Sequence, residues 1–232
     1  MPLATVNHIA LYYESNGRGA PLVVLGGLGT DISELRSLTE PLADRYRVIA
    51  VDNRGAGRSA KPAGPYRIEQ MADDVASLLE HLNQPRAHVL GISLGGRIAL
   101  ALALNHPERV DRLILVATSP RAVGTRWRVR LGMLVANLPA VRGEHPQPRW
   151  ALRAQFDAST RFDCTDRLGG IHAPTLIVHG RSDHTAPVAL AEQMHRQIPQ
   201  AHLALVDGGH RFPLTRPRQL VDEVDAFLTV EA

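Results

Sequence analysis

The chain has very few of the residues on which some classes of protein depend. Cys164 is the only cysteine among 232 residues, so no intramolecular disulfide can form and a reducing compartment fits. No stretch approaches the roughly 20 apolar residues of a membrane span, and the N-terminus lacks the basic and apolar regions of a signal peptide. We therefore expect a cytoplasmic protein without membrane contact.

Acidic residues are scarce in one part of the chain. The net charge is +3, yet residues 120–161 hold 8 arginines and 2 acids, a local balance of +6 against −3 for the remainder. A nucleic-acid-binding protein usually shows a broad basic face and a recognisable module, and neither is present here, so no nucleic-acid partner is expected. Either the arginines are solvated, or they favour a substrate that bears a carboxylate.

Short apolar runs alternate with stretches of helical periodicity along most of the chain. Strands are predicted at residues 5–9, 11–14, 22–25, 47–51, 87–92, 112–117, 173–179 and 203–206, and helices at 31–43, 68–82, 94–105, 188–197 and 217–228. Strands that alternate with helices imply right-handed crossovers and a mostly parallel sheet. The pattern predicts an α/β fold with a central sheet flanked by helices.

One segment interrupts this alternation. The stretch between the strands predicted at 112–117 and 173–179 is too long for an ordinary connection. It contains both tryptophans, Trp127 and Trp150, together with Met133. We interpret residues 120–165 as a short helical lid on a core formed by residues 1–119 and 166–232, and we expect these three side chains to line the substrate pocket.

A glycine-rich motif, GISLGG at residues 91–96, joins a predicted buried strand to an apolar helix. It matches G-x-S-x-G in the strand–turn–helix setting that this nucleophile motif requires. Gly91 and Gly95 let the strand and helix approach, so the Ser93 hydroxyl projects from the sheet edge at the positive end of the helix dipole. The motif predicts Ser93 as a nucleophile; the alternative is a turn of small residues needed only for packing.

A serine nucleophile needs a base, and histidine alone says little in a chain with 11 histidines. His210 follows a predicted strand and the turn at residues 207–209, at the same sheet edge as Ser93. His179 and His184 are the alternatives. The first ends a strand, which favours a packed side chain, and the second is more typical of a loop residue.

The base in turn needs an orienting carboxylate. Asp183 lies just beyond the strand predicted at 173–179, and the resulting chain order of serine, acid and histidine is the order this motif requires. Asp207 precedes His210 too closely to face its ring. The loop after the preceding strand, residues 117–120, contains no acid, which favours Asp183.

Backbone N–H groups should hold the oxyanion. Leu94, directly after the serine, is one predicted donor, and Leu28, in the glycine-rich turn GGLG at residues 26–29, is the other. The second glycine-rich stretch, residues 52–59, has no Walker lysine and no helix directly after it, so we interpret it as a structural loop. No dense cluster of metal ligands is present, and we expect no metal and no cofactor.

Together these motifs resemble the α/β-hydrolases, in particular the group of 3-oxoadipate enol-lactonases, haloperoxidase-like esterases and carboxylesterases. The matching stretches are residues 26–30, 52–59, 91–96, 106–110, 174–183 and 208–210. The resemblance implies a catalytic triad of Ser93, Asp183 and His210, with Leu28 and Leu94 as oxyanion donors. Family members often have His-Gly where this chain has Gly26-Gly27, and the lid is short for an enol-lactonase.

The predicted function is that of a serine hydrolase, which cleaves a small-molecule carboxylic ester or lactone through an acyl-enzyme on Ser93. One alternative is a thioesterase or biosynthetic acyl hydrolase that uses the same triad. Another is a small-molecule binding protein on a hydrolase scaffold, which would need none of the three triad residue types.

Overall fold

An eight-stranded sheet forms the centre of the computed structural model, which describes residues 2–122 and 144–229. The strands are β1 (Leu3–Val6), β2 (Ile9–Asn16), β3 (Pro21–Leu25), β4 (Arg47–Val51), β5 (Ala87–Ile92), β6 (Val110–Val116), β7 (Thr175–Gly180) and β8 (Ala201–Val206). Their spatial order is β1-β2-β4-β3-β5-β6-β7-β8. Among the strand pairs of the described sheet, β1–β2 and β2–β4 are antiparallel and the other five are parallel, so the predicted mostly parallel sheet is confirmed.

The central strands are apolar throughout because both faces of the sheet are covered. In β3, Val23 and Leu25 face one core, and Leu22 and Val24 face the other, as the two-residue repeat of a strand requires. All four side chains are fully buried. Burial on both faces explains why these strands are continuous apolar runs.

Helices cover both faces of the sheet. They are α1 (Arg36–Leu42), α2 (Ile68–His81), α3 (Leu94–Asn105), α4 (Arg149–Arg161), α5 (Val188–Gln197), α6 (Phe212–Thr215) and α7 (Pro217–Thr229). Helices α2, α3 and α5 contribute to one core, and α1 and α7 contribute to the other. In the described part of the chain, no helix has the length and apolar character needed to cross a bilayer.

Two local details differ from the sequence prediction. The strands predicted at residues 5–9 and 11–14 are found instead at Leu3–Val6 and Ile9–Asn16, where they form a hairpin. Asn7 and His8 form its tight turn, with positive φ of 44° and 62°. The helix predicted at 31–43 starts with a 3₁₀ turn, where Asp31 and Glu34 form a capping box. In both places the turn residues and capping side chains, rather than apolar periodicity, determine where the element begins or ends.

The predicted lid is described only in part. Trp127 and Met133 lie outside the described residues, whereas α4 and Trp150 lie within them. Helix α4 packs on the core through the buried Ala158 and the partly buried Ala154. The lid boundaries at 120 and 165 therefore stay a prediction.

Candidate active site

Ser93 lies at the sharp turn between β5 and α3. Its backbone has φ 54° and ψ −109°, a left-handed conformation that costs a non-glycine residue free energy. The surroundings fix this backbone: Ser93 N–H donates to the carbonyl oxygen of Val116 at 2.9 Å, and the Thr118 hydroxyl donates to the Ser93 carbonyl oxygen at 2.7 Å. The strained turn is thus held by β6 and the loop that follows it.

Two glycines beside Ser93 are required by close backbone contact. A Cβ atom on Gly91 would lie 2.3 Å from the Gly95 carbonyl oxygen, and one on Gly95 would lie 2.2 Å from the carbonyl oxygen of Leu25. Any side chain at either position would separate α3 from the sheet. The G-x-S-x-G spacing therefore has a direct steric cause here.

The structure brings the three predicted triad side chains into one chain of hydrogen bonds. Ser93 Oγ lies 2.9 Å from His210 Nε2, and His210 Nδ1 lies 2.8 Å from Asp183 Oδ2. An ionised carboxylate only accepts hydrogen bonds, so Nδ1 carries the proton and Nε2 is free to accept from the serine hydroxyl. His210 is partly exposed, whereas the Asp183 side chain is fully buried.

Asp183 stays ionised despite its burial. Desolvation acts to raise its pKa, but hydrogen bonds from His210 and from the backbone N–H groups of Ala186 and Thr185 outweigh it and hold the pKa below its usual value. Both backbone donors lie 2.8 Å from Oδ1. The carboxylate therefore keeps one oxygen for the backbone and one for the histidine.

In the described part of the chain, the alternative base and acid side chains form no hydrogen bond with Ser93 or His210, although His179 Nε2 lies 3.5 Å from Asp183 Oδ2. His179 is fully buried, and its Nε2 faces the carbonyl oxygen of Ala186 at 2.7 Å. Burial lowers the pKa of His179, so its ring is neutral. His184 is exposed beside the acid, and Asp207 is an exposed turn residue whose carboxylate lies 4.0 Å from Arg181.

The turn that contains Leu28 lies directly against Ser93. A Cβ atom on Gly27 would lie 3.6 Å from Ser93 Cβ, and the Asn53 side chain donates to the Gly26 carbonyl oxygen at 3.1 Å. Leu94 is the first residue of α3, where backbone N–H groups have no partner within the helix. Both predicted oxyanion donors are therefore in segments that adjoin Ser93.

The loop at residues 52–59 has a structural explanation. The buried Asp52 carboxylate accepts from the backbone N–H of Ile32 at 2.8 Å and of Arg58 at 2.7 Å. A Cβ atom on Gly57 would collide with this carboxylate. Asp52 thus ties the loop to the segment that follows the Leu28 turn.

Sequence reasoning missed two polar residues next to the site. Gln155 of α4 is fully buried and bonds the backbone of Gly29 and Arg54. Arg97 of α3 donates to oxygens of Ser119, Arg121 and Ser159. A single glutamine or arginine in a helix is usually solvated, so no pattern in the sequence marked them.

Of the three predicted pocket residues, only Trp150 lies in the described part of the chain. Trp150 is 48% exposed on α4, and the other two, Trp127 and Met133, lie outside the described residues. A side chain with that exposure contacts solvent on much of its surface. The role of all three in a substrate pocket stays a prediction.

Comparison with known proteins agrees with this architecture. The family profile described as alpha/beta hydrolase fold matches residues 20–149. The chain is 34% identical to a putative carbamate hydrolase RutD of Azorhizobium caulinodans, with 94% of each chain covered. It is 28% identical to 3-oxoadipate enol-lactonase 2 of Acinetobacter baylyi, covering 97% of this chain and 95% of the relative.

Solved structures lead to the same family. A thermophilic esterase from Thermogutta terrifontis, solved with malate bound, superimposes with a TM-score of 0.84 at 28% identity, and 97% of each chain is covered. With this fold, this profile match and these relatives, the chain belongs to the α/β-hydrolase family.

Proposed function

We propose that this hydrolase cleaves a carboxylic ester or lactone of a small molecule through an acyl-enzyme on Ser93. The observation that carries the proposal is the continuous hydrogen-bond chain from Ser93 Oγ to His210 and on to Asp183, with distances of 2.9 and 2.8 Å. A serine, a neutral histidine and an ionised carboxylate in this order are the parts that nucleophilic acyl transfer needs.

The first half of the reaction forms the acyl-enzyme. His210 Nε2 takes the hydroxyl proton as Ser93 Oγ attacks the carbonyl carbon, and the oxyanion accepts hydrogen bonds from the N–H groups of Leu28 and Leu94. Asp183 stabilises the imidazolium that forms. Collapse of the tetrahedral intermediate breaks the ester C–O bond, and His210 gives its proton to the departing alkoxide.

The second half returns the free enzyme. His210 takes a proton from water as the water oxygen attacks the acyl carbon, and the same two N–H groups hold the new oxyanion. The intermediate then expels Ser93 Oγ, which recovers its proton from His210. The acid product leaves, and none of these reaction steps needs a redox change or a metal ion.

Loss of the nucleophile is the direct test. Ser93→Ala is expected to lower kcat for p-nitrophenyl acetate by at least about 10⁴-fold and to abolish labelling by a fluorophosphonate probe. Ser182→Ala, an exposed serine next to Asp183, is the matched control and should keep both. Hydrolysis by Ser93→Ala at the wild-type rate would exclude this mechanism, and a wild-type protein that does not react with the probe would favour a binding protein.

A carbamate is the second candidate substrate, because the relative at 34% identity bears the name putative carbamate hydrolase. The triad could attack a carbamate carbonyl by the same steps, with an amine or ammonia as the leaving group. Initial rates on matched esters, lactones, carbamates and thioesters at equal concentration separate these substrates. A kcat/KM for the carbamate above those of the ester and lactone would replace the first proposal.

A further inference from the structure

Gln155 connects helix α4 to two loops beside Ser93. Its side chain is 0% exposed. Oε1 accepts from the Gly29 N–H at 3.2 Å, and Nε2 donates to the Arg54 carbonyl oxygen at 2.7 Å. Exchanging the amide oxygen and nitrogen would place donor against donor, so the two backbone partners fix one orientation of this amide.

The Gly29 N–H belongs to the central peptide of a tight turn. Thr30 N–H donates to the Gly27 carbonyl oxygen at 3.2 Å, and Gly29 has a positive φ of 73°, the signature of a type II turn. In a type I turn the central peptide is rotated by about 180°, and its N–H would point away from Gln155. The Gln155 oxygen therefore selects between two arrangements of the turn that contains Leu28.

Helix α4 is held in place on both sides of Gln155. Towards its C-terminal end, Arg97 donates to the carbonyl oxygen and the hydroxyl of Ser159, both at 2.6 Å. Before its N-terminus, the His145 N–H donates to the Asp31 carboxylate at 2.7 Å. These bonds keep the Gln155 amide at a fixed position relative to α3 and the Leu28 turn.

The second partner of Gln155 is equally well fixed. The Arg54 guanidinium forms two hydrogen bonds of 2.7 Å with the Asp74 carboxylate of α2, and both side chains are at most 4% exposed. The connection thus runs from α2 through Arg54 and Gln155 to Gly29. Arg54, Asp74 and Gln155 are buried, and Gly29 is half-buried.

We propose that Gln155 is a positioning residue for the oxyanion hole, which acts through the Gly29 peptide to hold the turn that carries the Leu28 N–H beside Ser93. This inference rests on the proposed function, because it takes Leu28 as an oxyanion donor. It gives the lid segment a part in transition-state stabilisation that is separate from contact with the substrate.

Gln155→Met tests the proposal, because methionine keeps the length of the side chain and loses both hydrogen bonds. We expect kcat for p-nitrophenyl acetate to fall about 10-fold with KM within about twofold, since a loosened oxyanion donor affects the transition state more than the bound ester. Inhibition by a trifluoromethyl ketone, whose serine adduct carries an oxyanion, should weaken by a similar factor. Arg153→Met, an exposed position on the same helix, is the control.

Gln155→Glu supplies a rescue that a packing role would not show. A protonated glutamic acid accepts from Gly29 with its carbonyl oxygen and donates to Arg54 with its hydroxyl, whereas the carboxylate cannot donate. The kcat of Gln155→Glu, divided by the kcat of the wild type at the same pH, should therefore increase severalfold as the pH is lowered from 8.5 to 6. A constant ratio would contradict the proposal.

Titration with a fluorophosphonate counts intact active sites, so a loss of folded protein is not mistaken for a loss of kcat. Amide hydrogen exchange at Gly29 reports the turn itself and should accelerate at least about 10-fold in Gln155→Met relative to Arg153→Met. An unchanged kcat in folded, titratable Gln155→Met would overturn the role of Gln155 alone. A wild-type protein inert to esters and to the phosphonate would overturn the proposed function, and this role with it.

Discussion

His179 donates a hydrogen bond of 2.7 Å to the carbonyl oxygen of Ala186, and the N–H of the same Ala186 binds Asp183 Oδ1 at 2.8 Å. The carbonyl can only accept, so the buried imidazole carries its proton on Nε2. One histidine at the end of β7 therefore fixes the residue that supports the candidate catalytic carboxylate. Among the described residues, its Nδ1 is buried without a hydrogen-bond partner.

Removal of the His179 donor should impair catalysis through Asp183. We expect His179→Leu to lower kcat about 10-fold with little change in KM, because the loop that orients Asp183 loses a buried hydrogen bond. His179→Gln can place an amide N–H near the same carbonyl and should recover most of the loss. Steady-state kinetics on an ester substrate measure both, and equal activities of the leucine and glutamine variants would contradict this role.

Gly95 should be intolerant of the smallest side chain. Gly95→Ala places a methyl group 2.2 Å from the Leu25 carbonyl oxygen, so α3 must move away from the sheet and take the Ser93 turn with it. We expect a loss of about 3 kcal/mol or more in the free energy of unfolding and a large loss of activity. Urea denaturation measures the first.

Gly169→Ala is the matched control for Gly95→Ala. Among the described residues, a Cβ atom at Gly169 would meet only the Gln197 carbonyl oxygen, at 3.9 Å, and the φ of Gly169 is outside the left-handed region. Its free energy of unfolding should change by less than about 1 kcal/mol. Similar losses in the two variants would show that contact with the Leu25 carbonyl does not decide the effect.

Much of the fold follows from the sequence because buried strands and amphipathic helices leave a strong apolar pattern. Helix α5 spans the predicted residues 188–197, and the Ser93 turn is found where the glycines predict it. Local turn chemistry was harder: Asn7 and His8 adopt positive φ without any glycine to signal it. The Asp31–Glu34 capping box, in contrast, has a recognisable spacing that places the helix start.

The polar surroundings of the site could not be predicted in the same way. Gln155 and Arg97 act on backbone atoms of distant segments, and such partners leave no pattern in one sequence. Trp150, an aromatic residue of the predicted lid, is 48% exposed, and its role in a pocket stays a prediction. The order of motifs along the chain predicts which catalytic side chains meet, but it carries little information on the polar residues that hold them in position.

Glu34 should make stability depend on pH. Burial raises the pKa of this half-buried carboxyl to about 6, against an ordinary value of 4.5, so folding binds a proton between these values. The stability from the protonated form is complete below about pH 4.5 and is lost as the pH rises through 6. Glu34→Gln should therefore change stability little at pH 4.5 and increase it by about 1 kcal/mol at pH 8.

The capping contact of Glu34 does not interfere with this comparison. The Glu34 carboxylate accepts from the Asp31 N–H at 3.3 Å, and a glutamine oxygen can accept the same bond. Glu40→Gln, at an exposed position of α1, is the control. Thermal unfolding at the two pH values should separate the variants, and an identical pH dependence in Glu34→Gln and wild type would refute the prediction.

Cys164 should be inert while the chain is folded. Desolvation raises its pKa to about 12, against an ordinary value of 9.0, and the residue is 1% exposed with its thiol toward the Pro120 carbonyl oxygen. A rise of this size lowers the thiolate fraction at pH 8 by nearly 1000-fold. Reaction with a disulfide reagent should be at least about 100-fold slower in buffer than in urea, and a rapid native reaction would show that this region opens.

The hydroxyl of Thr118 donates a hydrogen bond to the Ser93 carbonyl oxygen, and a Cβ atom on Gly96 would lie 2.5 Å from three atoms of the Thr118 side chain. The loop after β6 therefore contacts the Ser93 turn both by a hydrogen bond and by close packing. Replacing Thr118 with the catalytic acid would remove the hydrogen bond to the Ser93 carbonyl oxygen. The loop after β6 therefore supports the Ser93 backbone, and the loop after β7 supplies the carboxylate. An attempt to relocate the acid should begin by finding Ser93 another anchor.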